Sequence, residues 1–364
     1  MTLIRPTAGT RGYGGPGERR PGTGRAVAVL VLVTLGALIP LLGPSAALYG
    51  TGENPAPGVG GIALLRTALF TALCIPVGEL FVQRLAGRLP GAPAARPRSW
   101  ALYAAGAGFL AALGLASVVA TGNLVPGGLG EIDVGGLYES RDGKLALLEI
   151  NAFALAGLLV LFGSPRAQVW PLAAIAVAEA LRAHPTVEHS PLVGSALTLV
   201  HVTCSALWVG GLVYALRTLR LWRRGSGTAT GTEAHAPGPD GDTGAASGAA
   251  LLGLYARVAA VLLAATTATG IWSTLRRMPP ETVVEQLTET AYGRVLLAKV
   301  LLVVVVTALA LSARSRLRRV AGRTPSGRPD LLRAYAPARA EVVALGVVVA
   351  VSGLLTALPV PIRW

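Results

Sequence analysis

Charge is what this sequence has least of. Only 14% of its 364 residues are Asp, Glu, Lys or Arg, while 52% are hydrophobic; a soluble domain carries about 25% charge. With a mean hydropathy of +0.59, that scarcity excludes an ordinary soluble globule and points to a polytopic membrane protein. Cysteine is nearly absent too. Cys74 and Cys204 both lie inside apolar runs, so no disulfide framework is available. Met278 is the only methionine after the initiator, which excludes a methionine-rich metal relay. Lysine occurs only at Lys144 and Lys299. A phosphate-binding Gly-Lys-Ser/Thr loop, Cys-x-x-Cys, His-Glu-x-x-His and a nucleophile elbow are all missing. ATP hydrolysis, enzymatic chemistry and an organic cofactor are therefore not expected.

What is present is arginine and long apolar runs. Nine candidate spans lie at about 26–48, 60–83, 100–121, 144–163, 167–183, 191–216, 250–273, 293–313 and 339–358, each near the roughly 20 residues that cross a bilayer. The expected fold is thus an all-α polytopic transmembrane helical bundle of about nine spans. With the N-terminus inside, 22 basic residues fall in inner segments. Only six, Arg141, Lys144, Arg182, Arg276, Arg277 and Arg363, fall in outer ones. The alternation fixes an N-in, C-out topology. The net charge of +14 is accounted for by that topology, and no nucleic acid is expected as a partner.

Residues 1–24, rich in Gly, Pro and Arg, read as a disordered cytoplasmic N-terminus and not as a signal peptide. Residues 25–180 hold spans one to five and residues 181–364 spans six to nine, with a flexible cytoplasmic loop at 225–249. In the outer segment 274–292, Glu281, Glu285 and Glu289 stand at helical spacing and predict a short interfacial helix.

The residues with metal-binding chemistry concentrate in 184–211, which holds His184, His189, His201 and Cys204 and ends Trp208-Val-Gly-Gly. His201 lies about ten residues into the sixth span. On a helix, Gly194, Thr198, His201, Ser205, Trp208 and Leu212 share one narrow stripe of small and polar members, which suits contact with other helices and not with lipid. One reading makes His201 a copper or zinc ligand, with Cys204 at i+3 on the flank of the stripe. The other makes it a buried histidine bonded to a neighbouring helix, with Cys204 a small hydrophobe. His184 and His189 fall in the short outer loop, with Glu188 between them and Glu179 one turn back. They read either as ordinary solvated loop histidines or, above His201, as an entry site, with Met278 on the same side as a soft Cu(I) donor. Lys299, Glu149 and Glu179 lie in the outer halves of their spans, where a Lys299–carboxylate pair would offset burial.

The second half resembles the copper resistance protein D (CopD) family of bacterial inner-membrane proteins. His201-Val-Thr-Cys-Ser-Ala-Leu-Trp208-Val-Gly-Gly211-Leu is similar to that family's His…Ala-Leu-Trp-x-Gly-Gly-Leu span, and His184 stands seventeen residues upstream. Tyr255-Ala-Arg-Val-Ala with Thr269-Gly270, and Tyr292-Gly293-Arg294-Val-Leu-Leu-Ala-Lys299, resemble two further elements; Glu341 with Pro359 resembles the closing span. Ala183 and Ala313 depart from the family's glycine and asparagine. The resemblance covers about 180–360, so that 181–364 reads as a CopD-like transmembrane domain. It implies a bacterial plasma-membrane protein that imports or relays copper, as Cu+ or Cu2+. It also implies, as partners, the membrane lipid and a separate extracytoplasmic copper-binding protein of the copper resistance C type. A haem-binding redox protein and a non-metal assembly factor for a respiratory oxidase are the alternatives left open.

Overall fold

In a bilayer the backbone must satisfy its own hydrogen bonds, and long Ala-, Leu- and Val-rich runs do so as helices. The computed structural model describes residues 23–54, 57–124, 128, 130, 133–184, 190–225, 240–278, 281–321 and 336–359. Every regular element among them is helical: α1 (Thr23–Leu48), α2 (Val59–Ala86), α3 (Ala101–Thr121), α4 (Val134–Glu139), α5 (Arg141–Leu161), α6 (Val169–Arg182), α7 (Pro191–Gly225), α8 (Asp240–Arg277), α9 (Val283–Glu289), α10 (Ala291–Ala321) and α11 (Ala336–Ala357).

All nine expected spans form helices, and the expected count is approximate. Among the described residues seven helices are long and apolar enough to cross a membrane, and Glu341–Ala357 is a shorter apolar helix. The ninth, α6, has 14 residues, about 21 Å of rise. The 3-10 turn Pro165–Gln168 that precedes it adds about 8 Å. Together they approach the roughly 30 Å of a hydrocarbon core. The protein is therefore a multi-pass membrane protein.

The short outer elements have local causes. The Asp133 carboxylate caps α4 by accepting from the Gly136 N–H at 2.9 Å, and Ser140 Oγ caps α5 by accepting from the Gly143 N–H at 3.0 Å, as N-caps do. The short helix expected in 274–292 is α9. The expected inner linker is shorter than the sequence suggested, because α7 runs to Gly225 and α8 begins at Asp240. Residues 1–22 and His235 lie outside the described residues.

Helix α2 is the hub. It packs against α1, α3, α6, α7, α8 and α11 and supplies residues to all three apolar clusters. Val82 and Leu85 join α7, α8, α10 and α11 toward the inner side. Leu69, Ala72 and Leu73 join α3, α5 and α6. Ala63 joins α1, α10 and α11 near the outer ends. The two halves of the sequence thus share one interior. The tightest crossing is between α2 and α7. A Cβ at Gly210 would overlap the Cys74 carbonyl, and one at Gly78 would overlap the Gly210 backbone. Small residues that let two backbones touch are a usual device in membrane helix packing.

Candidate functional site

His201 is carried on α7 about 15 Å below its outer end and points onto α8. Its Nδ1 is 3.1 Å from Thr269 Oγ1, and the ring lies over Gly270, where a Cβ would sit 3.5 Å from Cε1. The Thr269 hydroxyl has one proton to give, and the carbonyls of Ala265 and Thr266 stand 2.8 and 3.0 Å away. The Thr266 carbonyl also faces the imidazole as an acceptor. With the hydroxyl proton donated to a carbonyl, Nδ1–H donates toward Thr269 and Nε2 carries the lone pair. Nε2 has no side-chain hydrogen-bond partner among the described residues. A histidine oriented through one ring nitrogen with the other open is the usual state of a metal-ligating imidazole. Below it Trp208 is buried, and its carbonyl accepts from the Tyr255 hydroxyl of α8 at 2.6 Å. Cys204 is half-buried and packs against the α7–α8 cluster.

The structure corrects the expected mouth. His184 is not a solvated loop residue: it is 2% exposed, with Nε2 3.0 Å from Thr198 Oγ1 on α7. The room for its ring comes from Gly194, where a Cβ would overlap the imidazole. Gly194→Ala is therefore expected to expel His184 and lower thermal stability by about 1–3 kcal/mol, read as a shift in unfolding temperature; an unchanged value would contradict the packing. His189 lies outside the described residues.

Arginines tie down the turn around His184. Arg141 donates to the carbonyls of Leu181 at 2.8 Å and His184 at 3.2 Å. Arg277 donates to the Ala183 carbonyl at 3.1 Å. Arg276 donates to the carbonyl of Ser190 at 3.1 Å, a residue with φ 58. These cations complement the negative end of α6. Met278 is fully buried and packs as a core thioether among Ala291, Tyr292, Val295 and Leu354.

The expected Lys299–carboxylate pair does not form. Glu149, fully buried, receives Arg182 Nη1 at 2.8 and 2.9 Å on its two oxygens. Glu179 receives the same nitrogen at 2.8 Å and is also paired with Arg66. The physical reason is adjacency: α5 and α6 pack on each other and α2 lies against α6, whereas Lys299 stands on α10 beside α11. Arg66 and Arg182 are the partners that sequence reasoning missed. Arg66 lies inside the second apolar run, at 60–83, and nothing in the spacing names its carboxylate.

At the inner end a cavity of about 240 Å³ opens between α2, the turn 89–97 and α7, lined in part by Gln83, Tyr214, Thr218 and Trp222. Tyr214 and Thr218 lie more than three turns inward of His201, which places this cavity away from the histidine. Among the described residues no group of three or more His, Cys, Asp and Glu side chains is placed to hold a metal ion. Metal chemistry here would rest on His201 with ligands brought by the cargo or by single neighbours.

Residues 249–355 match the family model for copper resistance protein D, CopD. The chain carries a CopD domain. No curated protein matches the chain, and no solved structure matches it. The matched residues take in most of α8 and α11 and all of α9 and α10. The CopD domain therefore includes Thr266, Thr269, Gly270, Met278 and Lys299. His201 lies on α7, outside the match, and docks on the CopD domain's first helix. The protein is accordingly a copper-resistance-related membrane protein.

Proposed function

We propose that this protein takes up or relays copper across a bacterial plasma membrane, with His201 as the internal stop for the ion. The observation that carries the reading is the uncommitted Nε2 of His201, held by Thr269 of the CopD domain in the outer half of the bundle. A neutral imidazole suits copper in either oxidation state. Copper is cargo in this reading, and the chain is a conduit and not an enzyme. His184, bonded to Thr198 one turn above, orients the outer end of α7 and does not serve as the mouth. A separate extracytoplasmic copper-binding protein would deliver or receive the ion at the outer face.

His201→Ala is expected to abolish copper-dependent growth and copper accumulation while membrane protein levels stay unchanged. Thr269→Val removes only the bond that orients the ring, and such partners typically contribute about 10–100-fold in metal affinity. An intermediate loss is expected there. An unchanged copper response in His201→Ala would remove the site.

A further inference from the structure

The cavity at the inner end has fixed walls. Trp222 Nε1–H donates to the Ala95 carbonyl at 3.0 Å, and the Ser247 hydroxyl donates to the Gly91 carbonyl at 3.3 Å. Arg217 donates to the Arg98 carbonyl, and its guanidinium lies 3.6 Å over the Trp100 ring. The turn after α2 is thus pinned to α7 and α8, and three acceptors that would draw a cation are occupied. Two of the lining residues still have protons to give. Tyr214 is buried against the cavity. Its hydroxyl accepts from Gln83 Nε2 at 3.2 Å and donates to nothing among the described residues. Arg96 also lines the cavity, and among the described residues its side chain has neither a hydrogen bond nor an ion pair.

The charge around the cavity favours an anion. Residues 84–98 hold Arg84, Arg88, Arg96 and Arg98 and no carboxylate, and the inner end of α7 adds Arg217, Arg220 and Arg223. Glu79 is buried one turn deeper than Gln83, and its Oε1 receives Gln83 Nε2 at 3.3 Å. The Gln83 amide therefore stands between that carboxylate and the Tyr214 hydroxyl. Topology accounts for basic residues on this side, but not for a walled cavity with uncommitted donors. We propose that the cavity holds a phosphate group, with the Tyr214 hydroxyl and the Arg96 guanidinium donating to its oxygens. Guanidinium matches phosphate in geometry and charge, and basic pockets between membrane helices on the cytoplasmic side suit phosphate headgroups. Leu89, Pro93 and Pro97 give the cavity an apolar wall, and its volume of about 240 Å³ leaves room for the organic body that carries the phosphate. An anionic phospholipid and a soluble phosphate ester present the same group to the same donors. The inference is independent of the copper reading.

The test uses the full chain purified in detergent, with unfolding temperature recorded for every variant. Phosphatidylglycerol is compared with phosphatidylcholine by native mass spectrometry. Sodium phosphate is compared with sodium chloride at equal ionic strength by titration calorimetry. Saturable binding of one phosphatidylglycerol or one phosphate per chain is expected. Retention of the lipid without phosphate binding assigns a lipid headgroup; phosphate binding without lipid retention assigns a soluble phosphate ester. Arg96→Gln and Tyr214→Phe should each weaken the bound species about tenfold, the size of one charge-assisted hydrogen bond. Arg166→Gln removes an exposed arginine from a different inner turn and should leave binding unchanged. An equal loss in Arg166→Gln would show general attraction to a basic surface and overturns the site. So does unchanged binding in a folded Tyr214→Phe, or the absence of one-site binding for both probes.

Discussion

Glu149→Gln is expected to destabilise the folded protein by about 3–5 kcal/mol, the usual loss when one member of a buried ion pair is removed. The arrangement explains the size. Arg182 Nη1 binds both Glu149 oxygens and one Glu179 oxygen within 2.9 Å, and Arg66 binds Glu179 from the other side. The cluster holds two guanidinium and two carboxylate groups and is neutral as a whole. Neutralising Glu149 leaves two cations on one carboxylate, in a region where unpaired charge is not tolerated. Arg182→Met should be at least as damaging, because it strands the fully buried Glu149. The double variant Glu149→Gln/Arg182→Met retains the Arg66–Glu179 pair and should recover most of the loss. Thermal unfolding of the four proteins in nanodiscs forms a double-mutant cycle. Additive losses would mean that the two residues are not coupled.

Gly210→Leu is the second substitution of large effect. Helices α2 and α7 touch backbone to backbone, and any Cβ at Gly210 would occupy the position of the Cys74 carbonyl. Backbone cannot rotate away as a side chain can, so the helices must separate. That opens the cluster in which Val82, Trp208, Leu212 and Tyr255 are buried. A loss of about 3 kcal/mol, the upper end for overpacking, is expected, with Gly78→Leu behaving alike. At Gly106 and Gly253 an added Cβ would meet nothing within 4 Å. Changing either to Ala should be neutral or slightly stabilising, since helix propensity favours Ala. Equal effects at Gly210 and Gly253 would contradict the crossing.

The helices were legible because membrane spans are written in composition: a run of twenty apolar residues has few alternatives in lipid. The stripe on α7 was legible for a similar reason. Small and polar residues at 194, 198, 201 and 205 have no business facing lipid, and His201 does meet α8. The short α6 was the least legible span, because a helix of 14 residues needs its 3-10 extension to reach across. What the sequence could not show was which charges meet. Lys299, Glu149 and Glu179 look equivalent along the chain, but the pairing follows helix adjacency, and the carboxylates go to Arg66 and Arg182. His184 looked like a loop residue because it follows the last turn of α6. The absent side chain at Gly194 is what draws it inward.

The outer arginines are exceptions to the inner bias of basic residues, and the structure gives four of them work. Arg141, Arg276 and Arg277 donate to carbonyls of the α6–α7 turn, and Arg182 neutralises buried carboxylates. Arg294, at the outer end of α10, similarly donates to the Tyr49 carbonyl at 2.6 Å. Positive charge on that side is held by specific acceptors, which leaves the topological signal of the inner arginines intact.

Everything in the copper reading turns on His201, oriented by the CopD domain through Thr269 and holding the ion inside the bundle. Copper content of the purified full chain, wild type against His201→Ala, is the decisive measurement, with unfolding temperature recorded alongside. Stoichiometric copper with a nitrogen ligand is expected in the wild type, and loss of that copper in an equally stable variant. Copper retained unchanged in His201→Ala, or absent from the folded wild type, would rule the site out.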